Sequence, residues 1–246
     1  MKNRIKLILL LISLSLAFIP ACSFDSTITG SDNTVQEVLN ITDFNAIDLS
    51  HSFNAEIIQS DQYKVVIEYN SNLKEYIDVL KDGKTLKIGL KDGHVYLDVK
   101  LSIKIYMPDI TAINSSGACK ITIAKFNTGN LKIDLSGASD LHADLDIANN
   151  LKINSSGASA IFMAGKAKNA DLHFSGASKF SGKGMIIGEN LFIEGSGAST
   201  ITITADGKTN LDLSGASTIN YYGKGSIVKS DVSGASSIRK RENDTL

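Results

Sequence analysis

Tryptophan is absent from this 246-residue chain, and proline and cysteine occur only twice each. Two cysteines, Cys22 and Cys119, exclude a disulfide framework as the source of stability. Arginine stands only at positions 4, 239 and 241, so no guanidinium cluster is at hand to grip phosphates or a nucleic-acid backbone. Long apolar runs are also missing. The longest, Leu7 to Ile19, is a mostly apolar stretch of 13 residues, where a membrane-spanning helix needs about 20.

What the chain does have is a tetrapeptide that returns. Ser-Gly-Ala-Ser begins at Ser116-Gly117, Ser136-Gly137, Ser156-Gly157, Ser175-Gly176, Ser196-Gly197, Ser214-Gly215 and Ser233-Gly234, with Cys119 in the last slot of the first copy. The steps between copies are 20, 20, 19, 21, 18 and 19 residues. A period near 20 with no helical pattern inside it marks a solenoid.

Each copy has the same neighbours. Three residues before the first Ser stand Ile113, Ile133, Ile153, Leu172, Ile193, Leu211 and Ser230. Five residues after it stand Ile121, Leu141, Ile161, Phe180, Ile201, Ile219 and Ile238. Polar residues fill the place two before the Ser, so apolar and polar positions alternate as in a strand with one buried face. One strand therefore ends at each motif and another starts after it, with room for a third. The motif is then a corner. Glycine suits the bend, alanine is expected to point into the tight interior, and the serines to bond backbone groups freed there or one another. Cys119 reads as a small substitute for serine. The fold class expected is all-β, a parallel β-helix of about 20 residues per coil, with like residues stacked about 4.8 Å apart.

The ends read differently. Lys2, Arg4 and Lys6 precede the apolar run, and Ile19-Pro20-Ala21-Cys22 follows it, as in a bacterial lipoprotein signal. Residues 1–21 are expected to be removed and Cys22 to carry diacylglycerol and an amide-linked acyl chain such as palmitate. Several acyl chains give stable anchoring where one does not. Ser23 after the Cys favours the outer membrane. Removing Lys2, Arg4 and Lys6 leaves 22 basic against 26 acidic residues, a net charge of about −4. Residues 22–33 read as the lipidated Cys and a flexible tether. Residues 34–110 read as an irregular N-terminal cap with degenerate coils, or else a small separate β-domain. Within them Ile47 to Ala55 echoes Ile133 to Ser139, Asn72 to Val79 suggests a short helix, and Leu80 to Leu86 a hairpin with an Asp-Gly turn. Residues 111–246 are the regular coils and a C-terminal cap, with the charged run from Arg239 to Asp244 expected to cover the last sheet edge.

The lipoprotein-like start, Phe44, Ile47 and Phe53 at the opening, the segment Asp82 to Ile88 and the tandem Ser-Gly-Ala-Ser corners resemble the family described as "putative auto-transporter adhesin, head GIN domain". The resemblance covers roughly residues 40–238. It implies a right-handed single-stranded β-helix and a surface or periplasmic place in Bacteroidetes-type bacteria. The family defines no catalytic or binding residues. No membrane-barrel segment follows the coils here, so a lipid anchor would take the barrel's part.

Chemistry is sparse. A catalytic serine needs a singular setting with a base in reach, whereas thirteen of the fourteen motif slots hold serine. His142 and His173 fall at different places in successive coils, and His51 and His94 lie in the cap, so no Ser/His/Asp set is implied. Gly83-Lys84-Thr85 and Gly207-Lys208-Thr209 resemble the end of a phosphate loop, but Asp78 and Thr202 stand where its first glycine belongs. Asp140, Asp144 and Asp146 lack a calcium loop's glycine and distal Glu. No cofactor and no metal site are expected. Asp134, Glu194, Asp212 and Asp231 share the place two before the Ser, and Asp212 with Asp231 suits acid/base pairing in principle. Of Tyr221-Tyr222, one must face outward. The reading is a lipid-anchored, non-catalytic cell-envelope β-helix that meets a glycan or protein ligand, an adhesion-like role. The alternatives are a glycan-processing enzyme and a structural envelope spacer.

Overall fold

A computed structural model describes residues 26–242; the signal segment, Cys22 and residues 243–246 lie outside the described residues. Among the described residues no helix is long and apolar enough to cross a membrane.

The chain opens with β1 (Ser26–Thr29), β2 (Thr34–Leu39), β3 (Ala46–Leu49), β4 (Asn54–Gln59) and β5 (Lys64–Asn70). A 3-10 turn, Ser71–Tyr76, leads into β6 (Ile77–Asp82), β7 (Thr85–Leu90), β8 (His94–Leu97) and β9 (Leu101–Met107). The repeats follow as β10 (Ala112–Ser115), β11 (Lys120–Thr128), β12 (Leu131–Leu135), β13 (Asp140–Ser155), β14 (Ala160–Phe174) and β15 (Lys179–Gly195). They end with β16 (Thr200–Ala205), β17 (Lys208–Leu213), β18 (Thr218–Tyr222), β19 (Ser226–Val232) and β20 (Ser237–Lys240).

The repeats form a parallel β-helix. Each coil pairs with the next in three in-register blocks. Asp140 to Ala143 pairs with Lys120 to Ile123, Leu145 to Ile147 with Phe126 to Thr128, and Leu151 to Ser155 with Leu131 to Leu135. Register shifts between the blocks mark the bends. Alternation buries one face of each block, so Ile113, Ile133, Ile153, Leu172, Ile193 and Leu211 stack in one column, all buried. Each such side chain contributes roughly 1.5–3 kcal/mol by burial.

The motif makes a corner whose four residues do four different things. The glycines lie at positive φ, from 68° at Gly234 to 99° at Gly117. A Cβ on Gly157, Gly176 or Gly197 would stand 2.5 Å from the carbonyl oxygen of the glycine one coil before, so the backbones touch and only glycine fits. The alanine N–H donates to that same carbonyl, at 2.8 Å for Ala138, Ala158 and Ala177. The expectation that alanine faces the interior is corrected. Ala118, Ala138, Ala158, Ala177, Ala198, Ala216 and Ala235 are all exposed. The inward place belongs to the fourth residue: Cys119, Ser139, Ser159, Ser178, Ser199 and Ser217 are buried. The left-handed glycine carries the chain outward for three residues before it turns in again. The buried hydroxyl then closes the corner on its own coil, Ser178 Oγ donating to Ser175 O at 2.9 Å and Ser199 Oγ to Ser196 O at 3.0 Å. Cys119 Sγ reaches Ser116 O at 3.8 Å in the same way, and burial pushes its thiol pKa up.

The N-terminal region continues the stack, though not in chain order. β3 and β4 form a coil with Ser50-His51-Ser52-Phe53 as its corner, His51 taking the glycine's place at φ 65°. β7 and β9 lie on the far side of that coil, parallel to β3 and β4. The chain thus builds the second coil first, then the first, then climbs past both. Antiparallel strands finish the sheets: β6 on β7, and β5 then β2 beyond β9. One core runs from Phe44 to Tyr221, shared by residues of the 34–110 segment and the coils. The Asp-Gly hairpin is present as β6 and β7, with Gly83 at φ 58°.

Three expectations are corrected. The tether is shorter than residues 22–33, because Ser26 to Thr29 pairs with His94 to Leu97 and Gly30 N–H donates to Leu97 O at 2.9 Å. Two cap side chains satisfy backbone groups there, Asn70 Nδ2 donating to Ser31 O at 2.6 Å and Asn72 Nδ2 to Thr29 O at 2.8 Å. The helix expected over 72–79 stops at Tyr76, since Ile77 and Val79 alternate into a strand. The described part of the C-terminal charged run does not lie over the last edge: Arg239 and Lys240 are in the edge strand itself, Arg241 N–H donates to Tyr221 O at 2.8 Å, and residues 243–244 lie outside the described residues.

Candidate functional site: an axial groove beside the corners

Each corner juts out from the strand before it, and stacking turns that step into a groove running along the helix. Its volume is about 360 Å³. One wall is the column two before each motif, Asp48, Asn114, Asp134, Asn154, His173 and Glu194, in register from coil to coil. The other is the first serine of each corner, Ser116, Ser136, Ser156, Ser175 and Ser196. Six rungs spaced about 4.8 Å apart make it about 24 Å long.

The polar column exists because outward strand positions stack as strictly as inward ones. Its members pair along the axis. Asn154 Nδ2 donates to Asp134 Oδ1 at 2.6 Å, and Lys132 Nζ reaches the other oxygen of Asp134 at 2.6 Å. His173 bridges two carboxylates: Nδ1 lies 2.9 Å from Glu194 Oε2 and Nε2 lies 2.7 Å from Asp171 Oδ1. The ring of Phe192 flanks it at 5.6 Å. Along the opposite wall the first serines hold longer bonds to the preceding coil, such as Ser136 Oγ to Ser115 O at 3.3 Å and Ser196 Oγ to Phe174 O at 3.4 Å. The groove thus offers hydroxyls, amides and carboxylates in a regular row over a largely apolar floor that includes Leu135 and Phe174, with no lysine or arginine among its lining residues. That surface suits hydrogen bonding to a neutral polyhydroxyl chain and opposes an anionic one.

The sequence-derived carboxylates divide here. Asp134 and Glu194 line the groove, while Asp212 and Asp231 continue the same column beyond it. Asp231 is paired with Lys229 at 2.9 Å. His142 lies on another face, stacked on Phe162 at 4.5 Å, and His51 and His94 join a ring cluster with Tyr96 in the cap. Burial lowers the His51 pKa. Asp140 and Asp144 are exposed, and Asp146 faces Lys166 at 3.4 Å. Among the described residues no cluster of three or more His, Cys, Asp or Glu has a metal-holding arrangement. Tyr221 faces in, and Tyr222 faces out beneath Lys183, whose Nζ lies 4.8 Å from the ring centre.

Sequence reasoning missed one ladder. Asn130, Asn150, Asn169 and Asn190 chain their side-chain amides up a bend, at 2.9, 3.1 and 2.8 Å. Their spacing of 20, 19 and 21 residues matches the motif period and was the available signal. It also missed that the motif's first serine, not the second, faces the groove.

No curated protein matches the chain. Among solved structures, a "putative adhesin" of Bacteroides fragilis shares the fold at a TM-score of 0.78 and 22% identity, covering 88% of this chain and 100% of its own. A "putative lipid binding protein" of Parabacteroides distasonis follows at 0.71 and 21%, covering 87% and 99%. A "putative adhesin" of Parabacteroides merdae scores 0.64 at 22%, covering 89% and 99%. A family model matches residues 43–225, so the stacked corners and their cap place the chain in the family described as "Putative auto-transporter adhesin, head GIN domain".

Proposed function

We propose that this chain is a non-catalytic, adhesion-type module of the cell envelope, held to the outer membrane by lipid on Cys22, that takes a neutral glycan chain along the axial groove. The observation that carries the ligand reading is the groove itself: a rigid, in-register row of hydroxyl, amide and carboxylate groups beside a stack that cannot collapse. Regular spacing suits a polymer of repeating units, since from Asn114 to Glu194 each rung sets a serine hydroxyl beside an amide, imidazole or carboxylate. The family's adhesin description supports the role, and the lipobox-like Cys22 supports the anchor. The groove's carboxylates support a binding rather than a catalytic role, because Asp134 and Glu194 are each held by a neighbour.

The test is a glycan array probed with the mature protein, repeated with Asn154→Trp, which fills the groove from an outward position and leaves the core untouched. Neutral glycan binding reduced at least tenfold by Asn154→Trp supports the reading. Binding unchanged by that variant, or polysaccharide cleavage abolished by Glu194→Gln, overturns it. For the anchor, Cys22→Ser moves the protein to the soluble fraction; retention on the membrane refutes lipidation.

A further inference from the structure

The last coil is built unlike the others. Among the described residues β19 pairs only with β17 and β20 only with β18, so both leave a row of backbone donors and acceptors without a described partner. Every residue of β19 is exposed. Ile227, Val228 and Val232 are 38, 56 and 46% exposed, so this seven-residue strand holds three of the eight exposed large apolar side chains among the described residues. In β20, Ile238 continues the core column above Ile219, and Lys240 stands above buried Tyr221. Arg239 faces outward above Asn220, whose Oδ1 also accepts from Arg241 Nε at 3.1 Å. The free end is therefore mixed, apolar at Ile227, Val232 and Ile238 and polar at Ser230 and Lys240, with Arg239, Arg241 and one acid, Glu242, exposed at its rim.

We propose that this end binds an extended, acidic segment of a partner protein, which adds as a further strand to the free edge of β20. A strand alternating apolar and acidic residues fits both features. Its first inward apolar side chain covers Ile238, the next lies along the stem of Lys240, and its outward carboxylates meet Arg239 and Arg241. Backbone pairing supplies the affinity and the alternate side chains the selectivity. The charge argues against a second copy meeting this end to end. Tail to tail, Arg239, Lys240 and Arg241 would face their own counterparts, and like charges across a strand pair are destabilising. The proposal is independent of the groove, which lies on the flank of earlier coils.

The experiment measures binding of three labelled ten-residue peptides to the mature protein: alternating Val and Glu, alternating Val and Lys, and a Val/Glu peptide of equal charge interrupted by proline. The expected result is binding of the first, weakened by salt, with the other two at least tenfold weaker. Amide exchange in Ser237 to Lys240 slows when the first peptide is added. The double variant Arg239→Glu/Arg241→Glu reverses the preference toward the lysine peptide. Both residues are exposed, and circular dichroism checks that the coils persist. If that variant fails to fold, Arg239→Gln with the peptide series takes its place. Equal binding of the proline peptide would reduce the site to charge alone and overturn strand addition. Failure of the Val/Glu peptide to bind, or self-association of the protein without peptide, overturns it as well.

Discussion

The two ends of this β-helix solve the same problem in opposite ways. Any stack of parallel strands leaves two open edges. At the N-terminal end the chain turns back on itself, so β6 closes one sheet and β5 with β2 closes the other, all antiparallel. At the C-terminal end the described chain stops on parallel strands with nothing across them, and polarity replaces closure: Ser230 and Lys240 enter columns that hold Leu211 and Tyr221 one coil earlier. A core can be ended by covering it or by making its last layer wet. Both routes leave edge strands among the described residues, β6 and β2 at one end and β19 and β20 at the other, but only the second leaves them at the end of the parallel stack itself.

The largest expected contrast lies along a single column. Ile161→Ala removes a fully buried side chain between two coils and should cost about 2–5 kcal/mol. Ile238→Ala, in the same column at the open end and half-buried, should cost about 1 kcal/mol. Urea denaturation of both variants decides it; equal losses would mean the last coil is covered in solution.

The second contrast sets a corner against a hairpin. Gly157→Ala meets both a positive φ of 78° and the Gly137 carbonyl, and should cost about 3 kcal/mol. Gly83→Ala, at φ 58° with open space around it, should cost about 1 kcal/mol. A Gly157 cost no larger than that of Gly83 would show that the coils part easily at the corner.

The smallest effect tests the one corner without glycine. Burial depresses the His51 pKa, and Nδ1 accepts from Leu90 N–H at 3.2 Å, a bond that protonation breaks. A depressed folded pKa means the unfolded state binds the proton more readily. The His51 contribution is therefore present above about pH 6.5 and is lost as pH falls through its lower folded value. Melting temperatures from pH 7.5 to 5 should decline in the wild type and decline less in His51→Gly. Identical profiles would place the acid sensitivity elsewhere.

Much of this was legible beforehand, and the exceptions have physical causes. The inward columns followed from alternation alone, because a strand's period of two leaves no choice of face once one residue is apolar. The corner's inner geometry did not. Alanine and serine are both small, and which of them turns inward depends on how far the left-handed glycine swings the chain. The groove column was visible as a row of polar residues, yet His173 between Asp171 and Glu194 needed register, since the three come from two coils. The cap was harder still, because β3 lies between β7 and β10, strands distant from it in sequence.

The sequence by itself determined the coil: its length, its buried columns, and glycine at each bend, since a repeat stacked on itself imposes the same local constraint at every step. Only the tertiary structure decided the rest. Which flank of the corner becomes a groove, which strand threads between two others, and which end stays open all depend on contacts between residues far apart in the chain. No local pattern encodes those contacts, because each is satisfied only after the partners have been brought together.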